Sequence, residues 1–153
     1  MSMYQKTGNA IQRARLSKGL TQEALAERCG YSADSVRAWE SGARTASMDA
    51  LGMLATVLDA QWLPAVYLRE QTEALSALIP SFDVGRPLAE AAAAFIGCVF
   101  EFMDGHFDRK LLRMVADGHI DAMEAADFDS MMELAARLNR AYYELRFAAQ
   151  KEV

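Results

Sequence analysis

A guanidinium fork can donate to O6 and N7 of guanine together, a carboxylate can accept from N4 of cytosine, and a methyl group can touch the thymine methyl. Side chains of all three kinds crowd together as Ala33, Asp34, Arg37 and Ala38, with the hydroxyls of Ser32 and Ser35 beside them. Arg37 is the strongest candidate for a bidentate contact to guanine. Asp34 is ambivalent, because a carboxylate that can accept from cytosine also repels phosphate. Other chemistry finds little footing. His106 and His119 have no Cys, Ser or acidic partner at a spacing that makes a triad or a metal site, and Cys29 and Cys98 lack companions at metal-ligand spacing. There is no glycine loop to cradle a phosphate. The run 117–128, DGHIDAMEAADF, has glycine, isoleucine and alanine where a calcium loop needs oxygen ligands. No catalytic residue, metal or cofactor is expected.

Whether the polar cluster reaches DNA depends on the elements that present it. Residues 20–42, LTQEALAERCGYSADSVRAWESG, read as two short helices joined by a tight turn. Thr21 is a good N-cap, and Leu25, Ala26 and Cys29 form an inner face. Ala26 lies where a second helix must cross closely, and a larger side chain would push the two apart. Gly30 follows the last helical residue, where the chain commonly turns through positive φ. Ser32 caps the next helix, Asp34 suits the dipole of its first turn, Val36 and Trp39 face inward, and Ser41-Gly42 ends it. Any one of these fits an ordinary helical hairpin. Together, in one register, they make a helix-turn-helix pattern, and the expected partner is double-stranded DNA.

On these residues the segment 11–68 resembles the lambda-repressor-like helix-turn-helix family, also called the XRE family. The matching residues are Arg15, Gly19-Leu20-Thr21-Gln22, Leu25-Ala26, Gly30, Ser32, Val36, Trp39-Glu40 and Gly42, followed by Leu51, Leu54, Ala55 and Leu58. The resemblance covers under half of the chain. It implies five helices, near 8–18, 21–28, 32–41, 47–59 and 62–69. It implies that Gln22 reaches a DNA phosphate, a contact that fixes register without reading sequence. Arg15 and Glu40 match a pair that ties the first helix to the end of the third. The N-terminal residues of the third helix would enter the major groove, so that Ser32, Ala33, Asp34, Ser35, Arg37 and Ala38 form the reading surface. Lys6 and Arg44 complete the expected DNA face. Arg13, Arg15, Lys18 and Arg28 are further candidates for phosphate, each equally readable as a solvated charge.

Charge divides the chain. The whole carries −5, yet residues 1–69 hold eight Lys/Arg against six Asp/Glu, and residues 70–153 hold eight against fifteen. A reading domain of +2 binds weakly alone and loses binding as salt rises, so two copies on a palindrome are expected. A 52% hydrophobic content argues against disorder. Cys29 and Cys98 read as small core residues. The N-terminus lacks a signal peptide, and the longest apolar run, 88–99, is too short to cross a membrane, so the expected compartment is the cytoplasm.

The second half follows a boundary at 71–86, where Pro80, Ser81, Asp83, Gly85 and Pro87 cluster as a linker. A helix then starts at Pro87, with one apolar row through Leu88, Ala92, Phe95, Val99, Phe102 and His106 and another through Ile96, Met103, Phe107, Leu111 and Met114. It is expected to run to Ala116 unless Asp104-Gly105 breaks it. Asp117-Gly118 is a stop, Asp121 and Glu124 restart a helix as a capping box, and 122–149 carries the row Phe128, Met131, Ala135, Leu138, Tyr142 and Leu145.

The expected fold is all-α: a five-helix lambda-repressor-like domain at 1–70, the linker at 71–86, and a long antiparallel helical hairpin at 87–153 for dimerisation or regulation. The hairpin has more apolar face than it can cover itself. A homodimer is therefore expected through Phe95, Val99, Phe102, His106, Phe128, Met131, Leu138, Tyr142 and Leu145. The turn DGHIDAME is similar to the C-terminal part of some phage and mobile-element regulatory proteins, which implies a regulatory or oligomerisation module. The expected function is a sequence-specific transcriptional regulator, a repressor acting as a homodimer on an inverted repeat. The competing expectation is an antitoxin-like or adaptor protein whose acidic helices bind a protein partner.

Overall fold

A computed structural model describes residues 3–116 and 118–148, with side chains from residue 7 onward. All regular structure in them is helical, and the chain divides into two compact units, Met1–Ile79 and Pro80–Val153.

The first unit contains α1 (Met3–Ser17), α2 (Gln22–Cys29), α3 (Ala33–Glu40), α4 (Met48–Val57), α5 (Leu63–Arg69) and α6 (Glu73–Leu78). Local chemistry sets the boundaries. The hydroxyls of Thr21, Ser32 and Ser47 accept the backbone N–H groups of Ala24, Ser35 and Ala50, each satisfying a helix-start donor. Gly30 turns at φ 71°, and its N–H closes on the carbonyls of Ala26 and Glu27. The core draws Ile11 from α1, Leu25 from α2, Val36 and Trp39 from α3, Leu51 and Leu54 from α4, and Leu63 from α5. Tyr31 meets the Trp39 ring edge-on at 5.0 Å. The helix pair α1 and α3 touches so closely at Gly8 that a Cβ there would sit 2.5 Å from the Trp39 carbonyl oxygen and 2.6 Å from that of Glu40.

The stretch 71–86 is not a linker throughout. Thr72 caps α6, which packs on α5, and Arg69 Nε donates to the Ile79 carbonyl at 3.0 Å. The cap Thr72 and first-turn Glu73 carry that signal, and the Pro-rich cluster further on obscured it.

The second unit contains α7 (Leu88–Asp104), α8 (Phe107–Met114) and α9 (Ala125–Ala148). The helix from Pro87 does break. His106 adopts φ 52°, and Phe107 folds back so that a Cβ on Gly105 would meet its ring at 2.8 Å. Burial of Phe107 with Met131 and Leu134 drives the break, since a continuous helix would carry that ring away from α9. Arg86 pairs with Glu144 and Arg137 with Glu101, so partners fall along α9 as they rise along α7 and the two helices run antiparallel. Ahead of α7, Phe82 stacks on Tyr143 at 5.1 Å and lies 5.3 Å from Phe147.

This packing reassigns part of the expected dimer face. Met131 is 3% exposed, and Phe102 and Phe128 pack against its cluster, so these three close the unit's own hairpin. His106 sits in the break rather than on a helical face. Phe95, Leu138 and Leu145 are half-buried, while Val99 and Tyr142 are exposed. Ala91, Cys98 and Phe102 lie on the side of α7 that meets α9, which leaves Ile96, Phe100 and Met103 toward solvent.

Candidate nucleic-acid interface

The elements α2 and α3 are joined at Gly30 and held by the buried Leu25, Ala26, Val36 and Trp39, which leaves the opposite side of α3 open. Ser32, Asp34 and Arg37 are exposed there, with Ala33, Ser35 and Ala38 half-covered. The cap residue Ser32 shares a hydrogen bond with Ser35 at 2.9 Å between hydroxyls. Arg44, from the loop after α3, returns to this surface. Its Nη2 donates to Ser35 Oγ at 2.7 Å, and its guanidinium carbon lies 6.0 Å from the centre of the Trp39 ring. Ser32, Ser35 and Arg44 are thus one connected patch. Arg37 Nη1 donates to Asp34 Oδ1 at 2.6 Å, and its Nη2 lies 3.7 Å from Glu23 Oε1 of α2. Sequence reasoning passed over Glu23, since nothing in its spacing links it to Arg37.

Behind α3 lies a buried ionic cluster. Arg15 is bidentate to Glu40, with Nε to Oε1 at 2.6 Å and Nη2 to Oε2 at 3.0 Å. Arg15 Nη1 also donates to the Leu20 carbonyl at 2.6 Å, and Gln22 Nε2 donates to Glu40 Oε2 at 2.8 Å. The Glu40 carboxylate hydrogen-bonded to it holds the Arg15 guanidinium above its ordinary range. Among the candidates for phosphate, Arg15 therefore drops out, because its charge is enclosed. One N–H of the Gln22 amide is taken by Glu40. The other N–H and the amide oxygen remain for a ligand, so the same side chain is braced from behind.

The other cations differ. Lys18 lies 3.4 Å from Asp59, Arg13 and Arg28 are exposed, and the Lys6 side chain lies outside the described residues. Burial pushes the Cys29 thiol up, as befits an inert core residue. Among the described residues, no helix is long and apolar enough to cross a membrane.

A helix-turn-helix family model matches residues 11–62, the segment from the middle of α1 to the start of α5. No curated protein and no solved structure matches the chain significantly. The caps, the Gly30 turn, the buried inner residues and the Arg15–Glu40 pair all fall inside the matched segment. Residues 11–62 are a helix-turn-helix domain of the lambda-repressor-like, or XRE, type, and with it the chain carries the DNA-binding module of a transcription regulator.

Proposed function

We propose that the protein is a sequence-specific repressor that binds an inverted repeat as a homodimer, with α3 in the major groove of each half-site. The observation that carries the reading is the exposed polar face of α3, flanked by Arg44 and braced by the Gln22–Glu40–Arg15 cluster. Arg37 donates to guanine, Gln22 and Arg44 hold phosphates, and Lys6 is a further basic residue available to the DNA backbone. The alanines offer apolar contact only. One copy presents few readers on a weakly basic domain, and pairing two copies multiplies their contacts. The second unit supplies the pairing, because α7 exposes Ile96, Phe100 and Met103, α8 exposes Leu112, and Val115 is exposed just past the end of α8. Such a regulator acts in the cytoplasm, needs no cofactor and performs no catalysis.

A second reading rests on Met123, 90% exposed, and Leu112, 70% exposed, in a half of the chain with fifteen acidic residues. Acidic and apolar together, these helices also fit an antitoxin-like or adaptor protein that covers a foreign protein. The separating experiment combines selection of duplexes from a random-sequence pool with sizing of the free protein. The repressor reading expects a palindromic consensus, a dimer at micromolar concentration, and loss of consensus binding in Arg37→Ala. A monomer that enriches no sequence would overturn it.

A further inference from the structure

We infer that Asp34 and Glu23 set DNA specificity through Arg37, as positioning residues rather than base readers. The inference rests on α3 entering the major groove, as proposed above. Arg37 donates to Asp34 at 2.6 Å and faces Glu23 at 3.7 Å, so one guanidinium stands between two carboxylates from different helices. The three side chains are 56%, 88% and 67% exposed, and an ion pair this solvated contributes little to folding. Its effects lie in charge and direction.

Arg37, Asp34 and Glu23 together carry one net negative charge on the surface that DNA approaches. Contact with an arbitrary phosphate is therefore disfavoured, which weakens binding to any duplex regardless of sequence. A guanidinium has five N–H donors, and Asp34 engages one. The remaining edge can still donate to O6 and N7 of guanine. Holding the fork also removes part of the ordering cost of a long side chain when it meets that base. The brace thus trades general affinity for selectivity, a discrimination obtained by penalising the wrong partner. It also resolves the ambivalence of Asp34, whose carboxylate is engaged by Arg37.

The test titrates wild type, Asp34→Ala, Asp34→Asn, Glu23→Gln and Arg37→Ala by fluorescence anisotropy across a salt series. The probes are a duplex selected by wild type from a random-sequence pool and a scrambled duplex of the same composition. Asp34→Ala and Glu23→Gln are expected to tighten binding to the scrambled duplex about three- to tenfold and to steepen the logarithmic salt slope by about one. Asp34→Ala should lower the selected-to-scrambled ratio about tenfold. Asp34→Asn keeps an acceptor for Arg37, so it should tighten scrambled binding yet retain the preference for guanine. If Arg37→Ala lowers the ratio and Asp34→Ala does not, the brace has no such part and only this inference fails. Loss of preference at a cytosine in Asp34→Ala would make Asp34 a direct reader, with the same consequence. If Arg37→Ala binds the selected duplex as tightly as wild type, the placement of α3 itself is wrong.

Discussion

Replacing Glu40 by Gln removes one charge from a site where almost no water can compensate. The Arg15 and Glu40 side chains are 8% and 2% exposed, and two of the guanidinium's bonds end on that carboxylate. Stranding the Arg15 charge is expected to cost about 3–5 kcal/mol. The amide can still accept one hydrogen bond, which places Glu40→Gln near the lower end. For a unit of this size about 3 kcal/mol lowers the melting midpoint by roughly 12–24 °C. Trp39 and Trp62, the two tryptophans, both lie in the first unit, so tryptophan fluorescence during urea unfolding reports on that unit alone. The double replacement Arg15→Met with Glu40→Leu supplies the second half of the test. Removing both charges together is expected to return most of the loss, leaving a deficit of about 1–2 kcal/mol from the unpartnered Leu20 carbonyl and Gln22 amide. A cost below about 1 kcal/mol for Glu40→Gln would mean that the pair behaves as a solvated surface pair. A double variant as unstable as the single would likewise refute the reasoning, since the damage would then lie in packing rather than in a stranded charge.

Three further outcomes are expected. Gly8→Ala gains about 1 kcal/mol of helix propensity but forces a Cβ against two carbonyl oxygens of α3, so the first unit should lose about 1–3 kcal/mol net, read as a lower urea midpoint by tryptophan fluorescence. Burial works to raise the Glu144 carboxyl, but hydrogen bonds from Arg140, Arg86 and the Asp83 N–H outweigh it and hold the group below the usual carboxylate range. A depressed folded value gives stability that is complete above the unfolded value of about 4.3 and is lost as pH falls through the folded one. Helix signal from the second unit should therefore hold from neutral pH to about 5 and fall below about 4 without a matching tryptophan change, whereas Glu144→Gln should remove that acid step and cost about 1–3 kcal/mol at neutral pH. Phe100→Glu places a charge on the exposed α7 face, so sizing chromatography should show a monomer with unchanged circular dichroism and weakened binding to a paired site; an unaltered dimer would exclude that face.

The helix-turn-helix was legible in the chain because its determinants are local. A cap acts on a donor three residues away, Gly30 answers to its own φ, and Ala26, Val36 and Trp39 declare an inner face by helical spacing. The same locality placed the candidate readers on α3. The resemblance supplied the Arg15–Glu40 pair, which spacing alone does not imply. What remained hidden depends on groups far apart in the chain. Gly8 looks like an ordinary helix interruption until two carbonyls of α3 stand against it. Glu144 resembles any surface acid of an amphipathic helix until Arg86 and the Asp83 backbone close over it. The second half had two apolar rows on one helix, and periodicity cannot say which row meets α9. Tertiary packing decided that, taking Cys98 and Phe102 inward, breaking the helix at His106 to bury Phe107, and leaving Ile96, Phe100 and Met103 exposed. It likewise brought Arg44 to Ser35 and Glu23 to Arg37, because the charge on a side chain is written in the sequence while its neighbours are set only by the crossing of helices.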